Sequence, residues 1–373
     1  MDNSPRFQWK LILAPFSWIY GLVVWIRNSL YDNGLLKSTG FNMPVISVGN
    51  ITVGGTGKTP HTEYLAELLK KELRVATLSR GYRRTSRDFR IATAQSKVAE
   101  VGDEPLQMKL KFPDILVAVD RERVHGITEL MKLAPRVEAV LLDDAFQHRS
   151  LKPGYSILLI DYGRPILKDR LLPSGMLREP AANRNRANII LVTKTPANFK
   201  PIEMREYVNS LDLQIGQHLF FTTMSYGELN PVFPDKIKAP KNADRFRADD
   251  SGILMISGIA NPAGLRSYAE SISKDVRELK FPDHHHYSLK DIETIMKATL
   301  DLANSHPEVL ILTTEKDAVK LHELDFPENV KEFMYSVPIR VEFLNGDKEN
   351  FDKQIYNYVN SNKRSSVLHT EKD

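Results

Sequence analysis

No cysteine occurs in the 373-residue chain, which excludes disulfides and thiolate metal centres and fits a reducing cytosol. No dense lysine/arginine block is interleaved with aromatic residues, and the formal net charge is only +4. Nucleic acid is therefore not an expected partner. A mildly basic body suits an anionic membrane surface or a polyanionic substrate. Internal repeats are absent too. The uncharged apolar stretch Leu11–Ile26 has 16 residues, short of the roughly 20 that a spanning helix needs.

That stretch is nonetheless distinctive. All three tryptophans, Trp9, Trp18 and Trp25, fall in or beside it, and Lys10 and Arg27 flank it. Interfacial aromatics and flanking cations favour the headgroup region. Pro15, about a turn in, is placed to kink a helix. Residues 1–30 therefore read as a membrane-inserted or interfacial helix. A buried core helix is the alternative. A cleaved signal peptide would need a small-residue cleavage pattern, and none follows.

The rest of the chain alternates strands and helices. Short apolar runs at Val45–Val48, Arg74–Leu78, Ile115–Val119, Ala139–Leu142, Ser156–Ile160 and Ile189–Val192 read as strands. Thr59–Leu73 reads as an amphipathic helix. This alternation predicts an α/β fold with a mainly parallel sheet covered on both faces. Polar clusters at the carboxyl ends of such strands mark the ligand edge. Residues 217–235 look like a β-ribbon, and a second α/β section starts at Ile253–Ser257, with further strands near Val309–Thr313 and Met334–Phe343. The expected division is a membrane-associated helix over 1–30, a nucleotide-binding unit over 31–215, a linker over 216–250 and a smaller unit over 251–362. The polar tail, 363–373, reads as disordered.

The segment "ISVGNITVGGTGKTP" carries the clearest chemistry. A strand runs into a glycine-rich turn and then a helix start. Thr52, Val53, Gly54, Gly55, Thr56, Gly57, Lys58 and Thr59 form a P-loop, in which backbone N–H groups converge on phosphate oxygens. Lys58 is placed for the β/γ-phosphates and the Thr59 hydroxyl for Mg²⁺. The strict pattern has a glycine with four residues between it and Gly57; Thr52 stands there instead. The loop is also similar to that of membrane-associated, dimerising ATPases of the ParA/MinD type. Those carry a lysine immediately before the two glycines, where this chain has Val53.

Asp143 and Asp144 follow four apolar residues, a Walker-B-like placement for a metal-facing carboxylate. Asp103 and Glu104 sit in a Gly/Pro-framed "VGDEP" turn. Asp103 could orient an attacking hydroxyl if the fold brings it to the P-loop. In "FPDHHHYS", Asp283 precedes His284, His285 and His286. Neither a zinc pattern nor a shared helical face supports metal binding. An Asp–His dyad and a plain loop both fit. Arg178, in "LLPSGMLREP", could neutralise a transferring phosphoryl group.

With these residues in place, the chain resembles the tetraacyldisaccharide 4'-kinases, enzymes of lipid A biosynthesis. The resemblance runs through "PFSWIYG", "SVGNITVGGTGKTP", "SRGYRR", "VGDEPLQM", "LLDDAFQHR", "LLPSGMLREP", "FPDHHHYS" and "TTEKDAVKL". It implies transfer of the γ-phosphoryl of ATP to the 4'-hydroxyl of a lipid disaccharide 1-phosphate at the cytoplasmic face of a bacterial inner membrane. It implies two α/β/α units joined by a β-ribbon. Asp103 would activate the hydroxyl, aided by His284 of an Asp283–His284 pair. Lys58 and Thr59 would hold triphosphate and Mg²⁺, with Asp143, Asp144 and Glu104 around the metal. Arg178 would stabilise transferred charge, and Asn50 and Tyr82 would position nucleotide or headgroup. "TTEKDAVKL" belongs to the pattern without an assigned chemistry. A base strengthened by the imidazole would place a titrating group near or above neutrality.

Overall fold

The computed structural model describes residues 12–133, 135–236, 242–248 and 250–370. Trp9 and Lys10, two of the expected membrane anchors, lie outside them.

Among the described residues, fourteen strands alternate with helices. They are β1 (Val45–Gly49), β2 (Val75–Ser79), β3 (Arg90–Ile91), β4 (Leu116–Val119), β5 (Ala139–Asp143), β6 (Tyr155–Asp161), β7 (Ile189–Thr193) and β8 (His218–Tyr226), then β9 (Asn230–Pro231), β10 (Ser251–Ser257), β11 (Asp275–Lys280), β12 (Glu308–Thr314), β13 (Met334–Val337) and β14 (Ile339–Phe343). A nine-stranded sheet has the order β14-β8-β7-β6-β1-β5-β2-β4-β3, and a five-stranded sheet has the order β11-β10-β12-β13-β9. All neighbours are parallel except the edge pairs β14·β8, β3·β4 and β13·β9. The fold is mixed α/β with parallel sheets. Every residue of β1, β5, β7 and β10 is buried. Helices cover both faces of such strands, so no face can be polar and the sequence reads as unbroken apolar runs.

β1 sits in the middle of the large sheet. The chain turns to β2 and β4 on one side and to β6 and β7 on the other. The crevice at such a reversal, beyond the carboxyl ends of the strands, is where open α/β sheets take ligands. The glycine-rich loop leaves β1 at that point.

The single strand expected near Met334–Phe343 is two strands in different sheets. Pro338 separates them: it has no N–H for a ladder, and the strand breaks there. β13 stays in the small sheet, while β14 crosses back and pairs antiparallel with β8. Beside that crossing, Gly227 N donates to Pro338 O at 2.9 Å. The ribbon between the sheets is thus made by residues more than 100 apart, not by a local hairpin within 217–235. After β14 the chain remains with the large sheet. Phe351, Ile355 and Val359 of helix Lys348–Thr370 join its core, and the Tyr358 hydroxyl donates to Val45 O at 3.2 Å. Residues 339–362 therefore pack with the first unit although they follow the second in sequence. The helix extends into the tail that composition reads as disordered from 363; residues 371–373 lie outside the described residues.

The first described helix is Ala14–Asp32, longer at its C-terminal end than the apolar run. Pro15 falls in its first turn, where a missing N–H is harmless, so it starts the helix and does not kink it. One side packs on residues 171–178. Ser17 Oγ donates to Ser174 Oγ at 2.8 Å, and the Tyr20 hydroxyl donates to Arg178 O at 2.8 Å. The opposite side leaves Phe16, Trp18, Ile19, Leu22, Val23 and Trp25 at least half exposed. No helix among the described residues is long and apolar enough to cross a membrane.

Candidate active site

The loop after β1 is held from several sides. Gly54 and Gly57 have φ of 100° and 85°, values that a side chain disfavours. Gly57 is the left-handed cap of helix Lys58–Leu69, and a Cβ there would lie 2.2 Å from Met224 Cε. Asn50 is fully buried, and its Nδ2 donates to Thr56 Oγ1 at 2.8 Å. It braces the loop from inside. Val53 N donates to Met176 O at 2.8 Å and Arg178 N to Ile51 O at 2.7 Å, so the Arg178 segment is zipped to the loop. Lys58 Nζ lies 3.6 Å from Asp144 Oδ1. Thr59, next in the helix, is half-buried.

Asp143 and Asp144 point apart. Asp143, at the end of β5, is buried, with Oδ1 3.5 Å from Thr62 Oγ1. Burial pushes its carboxyl up to about 7, and the nearby charge of Glu104 adds to this while Lys58 opposes it. Asp144 has φ 50° and takes Arg178 Nη1 at 3.2 Å. Burial raises its pKa, but Lys58 and Arg178 more than offset that, leaving it below the usual carboxylate range.

Asp103 is not in a turn but is the first residue of helix Asp103–Lys111, with the bend confined to Gly102 at φ 96°. Its Oδ1 accepts Glu104 N at 3.0 Å. Its Oδ2 lies 2.9 Å from His284 Nδ1, across 181 residues and from the other sheet's side of the molecule. The carboxylate–imidazole pair is thus Asp103–His284. Asp283 instead faces Lys316, at 3.5 Å. Burial raises the Asp103 pKa, but His284, Lys316 and Lys320 more than reverse this and hold it below its ordinary value. Cations surround this carboxylate. His285 pairs with Asp291 at 3.1 Å in the cap of helix Leu289–Ala303, a structural task. No group of three or more His, Asp or Glu among the described residues forms a metal cluster.

Three helices are tied together behind the site. Gln107 Nε2 donates to Glu63 Oε1 at 2.7 Å. Lys111 Nζ bridges Glu63 at 2.7 Å and Glu315 at 2.9 Å. These bonds link helix Lys58–Leu69, the Asp103 helix and helix Glu315–His322 of the second unit. Beside Asp103, a cavity of about 430 Å³ is lined by Arg80, Tyr82, Arg83, Arg84, Arg87 and Arg121 among others. Tyr82, 57% exposed, sets its ring 4.9 Å from that of His284, and Arg83 Nη1 donates to His284 O at 2.7 Å. The guanidinium-rich wall thus abuts the Asp103–His284 pair.

The family model described as tetraacyldisaccharide-1-P 4'-kinase matches residues 9–360. The chain belongs to this family. It is 47% identical over 360 residues to the tetraacyldisaccharide 4'-kinase of Phocaeicola vulgatus, covering 95% of this chain and 96% of the relative. The Bacteroides fragilis enzyme of that name is 46% identical over 377 residues, covering 100% and 98%. A crystal structure of LpxK from Aquifex aeolicus in complex with ATP superposes with a TM-score of 0.72 at 31% identity, covering 94% of this chain and 99% of that one.

Other polar groups at the site went unread in the sequence. Lys194, at the end of β7 with φ 56°, reaches Gly55 O and pairs with Asp161 at 2.9 Å. Arg164 donates to Val53 O at 3.2 Å and also pairs with Asp161. Both cations brace the glycine-rich loop. The signal for Lys194 was its place just beyond an apolar strand, the rule that picked out Asp143. Lys316 and Lys320 come from "TTEKDAVKL", the segment left without a chemistry.

Proposed function

We propose that this chain is a P-loop kinase that moves the γ-phosphoryl group of ATP to the 4'-hydroxyl of a tetraacyldisaccharide 1-phosphate. One observation carries the reading: Asp143 feels both Lys58 of the glycine-rich loop and Glu104, the neighbour of Asp103, so the loop lies near a separate carboxylate–imidazole pair, Asp103–His284, that abuts an arginine-lined cavity. Arginines bind phosphate through planar, paired donors. An acceptor bearing a phosphate and a nearby hydroxyl fits that layout. The family's named activity and the ATP-bound neighbour support it. A coupled ADP assay tests it. ADP should form with the disaccharide lipid present and only slowly without it. Equal ADP formation in both would point to a simple ATPase.

The backbone N–H groups of residues 52–57 and Lys58 would hold the triphosphate. Asp103 would accept a hydrogen bond from the acceptor hydroxyl and aim it at phosphorus. In a loose phosphoryl-transfer transition state orientation matters more than early proton removal, so a carboxylate of low pKa serves. Arg178, held by Asp144, would meet the charge on the transferring group. Tyr82 and the neighbouring arginines would seat the headgroup.

Mg²⁺ fits the donor set: Thr59 supplies a hydroxyl, and Asp143 is a buried carboxyl whose pKa is raised chiefly by burial and further by the nearby charge of Glu104, a cost that a bound cation would offset. Asp144 and Glu104 add to that field. Bound there, the ion would neutralise phosphate charge. Below pH 7 a proton occupies Asp143 and competes with the metal; above it the carboxylate is free. Apparent Mg²⁺ affinity should be about tenfold weaker at pH 6 than at pH 8. Thermal-shift titrations of Mg²⁺ with ADP at the two pH values measure this, and equal affinities would remove Asp143 from the metal site.

The exposed side of helix Ala14–Asp32 fits a helix lying in the headgroup region at the cytoplasmic face of the inner membrane. Burial of one large apolar side chain is worth about 1.5–3 kcal/mol, so a few suffice to hold the protein there. Trp18→Glu combined with Leu22→Glu should shift it from the membrane pellet to the supernatant. Both residues point away from the Ser17–Ser174 contact, so the fold should survive. Unchanged sedimentation would move the attachment to another surface.

A further inference from the structure

We propose that Lys316 is a positioning residue for phosphoryl transfer: it fixes the tautomer of His284, so that the imidazole holds Asp103 in place for the acceptor hydroxyl. The inference rests on the reading of Asp103 given above.

Helix Glu315–His322 starts from a rigid base. The Thr314 side chain caps it by accepting from Asp317 N at 3.0 Å. The fully buried Asp317 carboxylate in turn accepts Gly258 N at 2.8 Å and faces Lys320 Nζ at 2.8 Å. Lys316 and Lys320 are four residues apart and so lie on one side of the helix. Both face Asp103, at 4.0 and 3.9 Å. A buried lysine is stable only when its charge is matched. Lys316 is matched by Glu104 and Asp283, each 3.5 Å away. Burial alone would lower its pKa, but Glu104, Asp103 and Asp283 more than reverse this, so it stays an ammonium.

Its shortest contact in this cluster is of a different kind. Lys316 Nζ lies 3.1 Å from His284 Nε2. An ammonium has three hydrogens to donate and no lone pair to accept with. Nε2 must therefore be the acceptor and carry no proton. The ring proton is then on Nδ1, which donates to Asp103 Oδ2 at 2.9 Å. The remaining neighbours of His284 do not compete: Tyr82 meets the ring at a centroid distance of 4.9 Å, and Arg83 binds its carbonyl. With the opposite tautomer, Nε2–H would face the ammonium and Nδ1 would face a carboxylate, two repulsive contacts in place of two hydrogen bonds. Lys316 thus aligns a chain of donors, Lys316 to His284 to Asp103, that leaves Asp103 ionised and fixed. The second unit contributes the first two members, so the acceptor half of the site is complete only when both units are docked.

Nitrogen-edited NMR of the full-length, ¹⁵N-histidine-labelled protein in detergent tests this, with His284 assigned by loss of its signals in His284→Gln. The wild type should show the Nδ1–H tautomer for His284. Lys316→Met should lose that tautomer's dominance, lower kcat about 10- to 100-fold through misplacement of Asp103, and leave the KM for ATP within about threefold. Lys316→Arg, which can still donate to Nε2, should keep the tautomer and recover most of the rate. An Nε2–H tautomer in the wild type would overturn the proposal, and that measurement requires no lysine variant. So would Lys316→Met with an unchanged tautomer, or with a raised KM for ATP at unchanged kcat, which would assign Lys316 to the nucleotide. Because the tautomer is read without substrate, it stands apart from the assay of the kinase activity itself.

Discussion

Asp103→Ala is expected to lower kcat by about 10²–10⁴-fold, the range for removing a group that manages a proton on a reacting hydroxyl. That corresponds to about 3–5 kcal/mol of transition-state stabilisation. The residue starts a helix behind Gly102, and its two oxygens are held by Glu104 N and His284 Nδ1. Little of its work is substrate binding, so the KM for ATP should change little. The pH profile is informative as well. Asp103 is held below its ordinary pKa. Its carboxylate is therefore present throughout the neutral range and lost only as pH falls through that lowered value. The wild-type rate should show no loss attributable to Asp103 between pH 6 and 8, and an acid limb contributed by Asp143 should move to lower pH as Mg²⁺ is raised. Asp103→Asn should be nearly as impaired as Asp103→Ala, because the amide keeps the shape but not the charge. Steady-state kinetics with saturating lipid measures all three proteins; an active Asp103→Asn would remove the carboxylate from the chemistry.

Lys58→Met should cost about 10²–10³-fold in kcat, the scale for losing one charged donor at a developing negative charge. It should also weaken ATP, since the same ammonium meets the ground-state phosphates. The structure adds a coupling. Lys58 lies 3.6 Å from Asp144, and Asp144 also holds Arg178. Removing Lys58 takes away one of the cations that offset Asp144 and draws Arg178 more tightly to it. Asp144→Asn in the Lys58→Met background should therefore recover part of the loss. A double-mutant cycle on kcat/KM measures that interaction; strictly additive effects would mean that Lys58, Asp144 and Arg178 do not act together.

The legible parts of this protein are local ones. A strand, a glycine turn and a Lys-Thr pair lie within 15 residues, and their spacing alone implies bound phosphate. Strands β1, β5, β6 and β7 were readable because a strand buried on both faces must be apolar throughout. Asp143 was readable because it ends such a strand. What failed to show is long-range. Asp103 and His284 are 181 residues apart, and the resemblance paired the histidine with the adjacent Asp283. Three-dimensional placement decided otherwise, since Asp283 turns to Lys316. Helix Lys348–Thr370 gave no sign that it packs on the first sheet, because an apolar face records that something covers it, not which element does. Pro338 was visible, but its effect needed the second sheet to be in view. The resemblance implied that Asn50 positions nucleotide or headgroup. Its burial makes it a brace, and burial is a property of the folded chain. Lys316 and Lys320 lay in a segment that similarity marked without explaining; only the 3.1 Å approach of Lys316 to an imidazole nitrogen gives it a task.

The most direct test follows the label from [γ-³²P]ATP into disaccharide 1-phosphate lipid in mixed micelles with Mg²⁺. An anomeric phosphate is cleaved by mild acid, whereas a monoester on a secondary ring hydroxyl survives it. The label is predicted to enter the lipid, to remain there after mild acid, and to be lost from the product in Asp103→Ala. Label found only as inorganic phosphate, or lipid label released by mild acid, would contradict transfer to the 4'-hydroxyl.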